Sequence, residues 1–156
     1  MKRILLSVLL ALSAGIECET SIQLDVLYYN IQVEYAFHLP VGYNKTKSFH
    51  VKCTDVGGVG YIYYYNYDDG STLYISNASS PSPYTKQEQE IVGSVLTIIL
   101  EEDPNRCIEQ AGYIDGSGYY RDRQSHDICI GYYNVSEAKK EEFDRAINSL
   151  RAVKQL

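Results

Sequence analysis

Apolar and polar residues alternate through the first half of the chain. Ile31, Val33, Tyr35 and Phe37 alternate with Gln32, Glu34, Ala36 and His38, the period of a half-buried strand. With LDVLYY before it, the run 24–38 reads as strand, ended at Leu39-Pro40-Val41-Gly42 because proline cannot donate to a ladder. Phe49, Val51 and Cys53 then alternate with His50, Lys52 and Thr54 in a second strand. Residues 61–76, YIYYYNYDDGSTLYIS, read as a hairpin with Asp69-Gly70 as a two-residue turn. Pairing outward sets Asn66 against Leu73, Tyr65 against Tyr74, Tyr64 against Ile75 and Tyr63 against Ser76. One face then carries Ile62, Tyr64, Leu73 and Ile75, and the other carries Tyr61, Tyr63, Tyr65, Tyr67 and Tyr74. These strands predict a four-stranded antiparallel meander.

Ser80-Pro81-Ser82-Pro83 breaks the pattern. Thr85 with Glu88 three residues on is a capping-box signature. The helix it opens runs to about Glu102 and shows Ile91, Val92, Val95, Leu96, Ile99 and Leu100 on one broad face. Residues 107–114 and 126–133 have strand character, with the polar, glycine-rich DGSGYYRDRQS read as a loop between them. Ser136 can cap a final helix striped by Phe143, Ala146, Ile147, Leu150 and Val153. The predicted fold class is α+β: an antiparallel meander packed by one buried helix, plus a C-terminal amphipathic helix.

The tyrosine face raises the functional question. Each aromatic side chain covers ~150–250 Å², and a monomer seldom exposes an apolar patch beyond ~300–600 Å². Five uncovered rings would exceed that, so the face is either core or a contact surface for a partner. Residues 1–15, a charged Met1-Lys2-Arg3 followed by an apolar run, read as a secretory signal, with cleavage as late as 18 the competing option. Residues 19–156 then form a single globular domain. The net charge of −6 opposes non-specific binding to nucleic acid or anionic membrane. In an exported protein Cys18, Cys53, Cys107 and Cys129 are expected to pair, in one of three connectivities. Neither C-x-x-C nor H-x-x-x-H occurs, which argues against a zinc site; neither metal nor cofactor is expected. Sequons stand at Asn44, Asn77 and Asn134.

Two constellations suggest chemistry. If the hairpin between the first two strands is centred near Asn44, His38 and His50 face each other, with Glu34 on the same side and Lys52 nearby. Paired imidazoles near neutral pH are the acid and base of RNA cleavage through a 2′-hydroxyl. Arg121-Asp122-Arg123 could grip an anion, although a solvated charged loop is the favoured reading. Ser125-His126-Asp127 is no triad on a strand, because consecutive side chains point to opposite faces. Aromatic rings also stack on bases, anchor protein interfaces or hold carbohydrate.

The leader MKRILLSVLLALSAG, the short body with its cysteines, and the run SHDICIGYYNVSE before a terminal helix resemble the small secreted candidate effectors of plant-pathogenic fungi, especially the powdery mildews. The resemblance implies a virulence role outside the producing cell, in some members after delivery into a host cell. Many such effectors look like ribonucleases without the catalytic residues and act by binding host proteins or RNA. The expectation is a secreted, non-catalytic binding protein engaging a host or other extracellular protein, or RNA, through Tyr61, Tyr63, Tyr65, Tyr67 and Tyr74, with no membrane role. The alternative is a secreted ribonuclease-like enzyme using His38, His50 and Glu34.

Overall fold

The computed structural model describes residues 18–26, 31–53, 58–77, 80–84, 107–125 and 128–155. Among them the fold is mostly antiparallel β-sheet with one helix, and so broadly α+β. The strands are β1 (Cys18–Val26), β2 (Ile31–Leu39), β3 (Tyr43–Cys53), β4 (Gly58–Tyr67), β5 (Thr72–Ser76), β6 (Ile108–Ile114), β7 (Gly118–Gln124) and β8 (Cys129–Val135). Helix α1 (Glu137–Ser149) and strand β9 (Arg151–Gln155) close the chain. The leader and the helix expected over 85–102 lie outside the described residues.

The strands divide into a three-stranded sheet, β1-β2-β9, and a six-stranded sheet, β3-β4-β5-β8-β7-β6. The single meander expected from the sequence is therefore corrected. Strand β2 does not pair with β3. It leaves through Pro40 and the left-handed Gly42 (φ +87°) and lies between β1 and β9. The final helix also stops earlier than its stripe suggested. Leu150 exits at ψ 125°, and Val153 sits exposed on β9, which pairs with β2.

The tyrosine hairpin turns one residue differently from expectation. Asp68, Asp69 and Gly70 make a three-residue loop: the Gly70 N–H donates to the Tyr67 carbonyl (3.0 Å) and the Tyr67 N–H to the Ser71 carbonyl (3.0 Å). Gly70 sits at φ +85°, the left-handed position that follows a type I turn in such loops. The Asp69 carboxylate accepts from the Ser71 N–H at 3.0 Å and holds the loop closed. The pairs are Tyr65 with Leu73, Tyr64 with Tyr74 and Tyr63 with Ile75. Leu73 and Ile75 therefore share a face with Tyr61, Tyr63, Tyr65 and Tyr67, while Tyr74 moves to the other face beside Tyr64.

That shared face is the core. Leu73, Ile75, Ile130 and Tyr132 of the large sheet pack with Leu24, Phe37 and Leu39 of the small sheet and with Phe143 and Ile147 of α1. Phe143 meets Tyr67 and Tyr132 edge-on at ring-centroid distances of 5.1 and 5.6 Å, and Phe37 meets Tyr65 at 5.9 Å. Ridge residues Phe143, Ala146 and Ile147 at helical spacing supply the buried stripe of α1. Truncating Phe143→Ala should lower unfolding stability by about 3–5 kcal/mol, read as a reduced urea midpoint at unchanged slope; a loss below about 1 kcal/mol would contradict a core centred on this ring.

Candidate functional site

The tyrosines named as a docking surface divide into three groups. Tyr65 (7% exposed) and Tyr67 are buried, and the Tyr67 hydroxyl donates to the Pro40 carbonyl at 2.8 Å. Burial, with Tyr43 and Tyr63 close by, pushes the Tyr65 phenol up to about 12. Tyr74 is fully buried on the opposite face, its hydroxyl 3.1 Å from that of Ser80. Tyr61 and Tyr63 are half-buried, stacked at 6.4 Å against the rim of the core. The expected five-ring binding face is thus corrected: Tyr65 and Tyr67 are interior because the helix and the small sheet cover them, and Tyr74 is buried on the other face.

The paired histidines are corrected as well. His38 lies opposite Glu19 in the small sheet, and its backbone N–H donates to the Ser149 hydroxyl at 2.8 Å. His50 lies opposite Tyr61 in the large sheet. Glu34 shares a face of β2 with His38 but stands opposite Gln23 on one side and Lys154 on the other. The strand separation that breaks the meander also removes this acid–base pair.

Cys107 and Cys129 are free thiols, the first exposed and the second buried. They cannot bridge each other, since Ile108 pairs with Gln124 and Gln124 with Cys129. Two inter-strand spacings of about 4.8 Å exceed the ~4.4–6.8 Å a disulfide spans. Cys18 begins the small sheet and Cys53 ends an edge strand of the large one. Of the sequons, Asn44 is exposed, its amide donating to Asp68. Asn77 is buried, its side-chain oxygen accepting the Tyr61 N–H at 2.6 Å, and Asn134 accepts the Tyr84 hydroxyl. Of the three, Asn44 is exposed, Asn134 half-buried and Asn77 buried.

The segment taken for a loop at 115–125 is a tight turn followed by β7, and it carries the strongest electrostatics. Arg121 is held by Asp144 (2.9 Å), Glu109 (3.0 Å) and Asn148 (3.0 Å). Asp144 also takes Lys140 at 2.6 Å and the Tyr132 hydroxyl at 3.0 Å. Burial alone would raise the Asp144 carboxyl, but these donors hold it below the usual carboxylate range. Arg121 therefore clamps α1 onto β6 and β7 and is not available to grip an external anion.

Asp122, between these arginines in sequence, points to the opposite face. It is 5% exposed, and among the described residues neither carboxylate oxygen has a hydrogen-bond partner. It stands opposite Gln110 on one side and Gly131 on the other. The bare Gly131 lets the Tyr74 ring pass across it; a Cβ there would collide with both the Tyr74 hydroxyl and the Asp122 carboxyl. Burial pushes Asp122 up to about 7, and the buried Cys129 thiol beside it is raised by burial first and by Asp122 second. The alternation of RDRQ was open to a strand reading, but nothing in composition marked Asp122 as interior.

A cleft opens elsewhere, between the β6–β7 turn and the start of α1. It has a volume of about 420 Å³ and is lined by Tyr113, Gly116, Ser117, Gly118, Tyr119, Asn134, Ser136 and Glu137. Tyr113 is 56% exposed and leans on Tyr119 with ring centroids 5.0 Å apart, tilted by 58°. The Tyr119 hydroxyl donates to the Glu137 carboxylate, which raises the phenol. The Ser136 side chain makes no capping bond to the helix, and Asn134 adopts φ +58° at the strand end. Sequence reading passed over Tyr113 and Tyr119 because they fell at a strand end and in an apparent loop. Comparison of the chain with protein-family models, curated proteins and solved structures finds no match in any of the three.

Asp122 gives a pH prediction. Its carboxyl is raised from 3.8 to about 7, so the native state binds the extra proton. Stability is then undiminished below pH ~4, falls as pH rises toward 7 and levels off above it, by on the order of 4 kcal/mol. Asp122→Asn should flatten this decline in urea titrations at pH 5 and 7.5. An unchanged slope in the variant would show that the carboxyl ionises freely.

Proposed function

We propose that the protein is an exported, non-catalytic binding protein, effector-like in its setting, which seats part of an extracellular or host molecule in the Tyr113–Tyr119 cleft. The observation that carries this reading is a concave site within the ~300–1,000 Å³ typical of small-ligand pockets, lined by the exposed Tyr113 ring, the half-buried Tyr119 ring and several polar groups. Aromatic side chains present large contact area with little rotamer entropy to lose. An exposed tyrosine leaning on a half-buried one in a hollow is a stronger recognition feature than the same residues on a flat strand.

Several features support binding over catalysis. His38 and His50 belong to different sheets, which removes the geometric basis of the ribonuclease-like alternative. Among the described residues the carboxyl raised furthest, Asp122, lies in the interior and not among the residues lining the cleft. Export rests on the leader, and the effector setting on the resemblance of the leader and the closing run. The exposed sequon at Asn44 is compatible with passage through a secretory pathway.

A fragment screen read by amide chemical shifts tests the location of the site. Binding fragments should move the amides of Ser117, Gly118, Asn134 and Glu137, and Tyr113→Ala should remove those shifts. Hits that gather instead on Tyr61 and Tyr63 would return recognition to the β4 face and overturn the cleft.

A further inference from the structure

Resting on the cleft as the binding site, we infer that its ligand is a neutral sugar residue, presented by an oligosaccharide whose chain continues out into solvent. The lining residues decide the charge of the ligand by exclusion. The Glu137 carboxylate lines the cleft and, among the described residues, neither a lysine nor an arginine does, so an anion seated there would meet a like charge. A cation is opposed from the other wall. Lys140 already stands over the Tyr119 ring, its ammonium 5.8 Å from the centroid. The ring face that would attract a cation is therefore occupied by one.

A wholly apolar ligand fits no better. Ser136, Asn134 and Glu137 offer a hydroxyl, an amide and a carboxylate, and hydrocarbon over them would leave unmet the hydrogen-bonding capacity that Asn134 and Glu137 keep beyond Tyr84 and Tyr119. Together they provide both donors and acceptors. That is the demand of vicinal hydroxyls, each of which donates one hydrogen bond and accepts others. The exposed Tyr113 ring supplies the flat apolar floor on which the C–H face of a pyranose can lie. The 58° tilt of Tyr119 makes a corner that holds one ring, and the open side of the cleft leaves room for the next residue.

The test uses the full mature chain, isotopically labelled and titrated with four probes. These are β-1,4-linked trimers of glucose and of N-acetylglucosamine, a galacturonic acid trimer, and tetramethylammonium. At least one neutral trimer should saturate the amides of Ser117, Gly118 and Glu137. Tyr113→Ala should weaken it at least tenfold, while Val153→Ser, remote and exposed on β9, should leave it unchanged. Glu137→Gln should admit the acidic trimer that the wild-type chain rejects. Preferential binding of tetramethylammonium or of the acidic trimer by the wild-type cleft would overturn the sugar reading and leave the cleft standing. If fragments bind the cleft and neither neutral trimer does, the sugar reading also falls. If fragments and sugars alike bind elsewhere, the cleft falls with it.

Discussion

The left-handed glycine at the tip of the β4–β5 hairpin sets the arrangement of everything packed around it. A three-residue loop closed by Gly70 shifts the strands by one residue relative to a two-residue turn, and a one-residue shift in a sheet exchanges faces. Leu73 and Ile75 thereby join Tyr65 and Tyr67 on the inner side, and Tyr74 passes to the other. Helix α1 and the small sheet then find a face made of both aliphatic and aromatic groups. The turn is tied directly to the helix, since Asp69 pairs with Lys139 at 2.8 Å and Lys139 also stands 5.8 Å over the Tyr67 ring.

Tyrosine can fill such a core because each ring is apolar and each hydroxyl needs only one partner. Tyr67 finds the Pro40 carbonyl, Tyr132 finds Asp144 and Tyr74 meets Ser80. Asp144 in turn belongs to the Arg121 cluster, so the polar ends of the core are linked to the clamp that docks α1. Asp122 departs from this pattern: its oxygens are covered and find no hydrogen-bond partner among the described residues. The favourable state for such a group is the protonated one, and its position behind Tyr74 places that tension on the face away from the helix.

Much of this was open to reading from the pattern of residues alone. The strand periods of 31–38 and 61–67 and the apolar stripe Phe143, Ala146 and Ile147 correspond to elements that form. What could not be read was long-range pairing. Local alternation says that β2 is a strand but not that it leaves β3 for β9, and the His38–His50 pair depended on that choice. Register failed for a subtler reason: Asp-Gly is compatible with both turn lengths, and the Asp69 contact that selects the longer one is visible only in three dimensions. Asp122 was misplaced because polar residues were equated with exposure. The cleft was missed because its walls, Tyr113, Asn134 and Glu137, come from separate segments.

Under the proposed reading the recognition surface lies away from the tyrosine hairpin. Tyr65 and Tyr67 of β4 help to build the interior, and the exposed Tyr113 stands at the far edge of the large sheet, in the cleft beside the start of α1. Hydroxyl-radical footprinting of the folded monomer, with oxidation mapped by mass spectrometry, tests that division most directly. The account predicts strong labelling of Tyr43 and Tyr113 and protection of Tyr65, Tyr67, Tyr74 and Tyr132 until the protein is unfolded. Labelling of Tyr65 and Tyr67 in the native state to the extent of Tyr113 would contradict it.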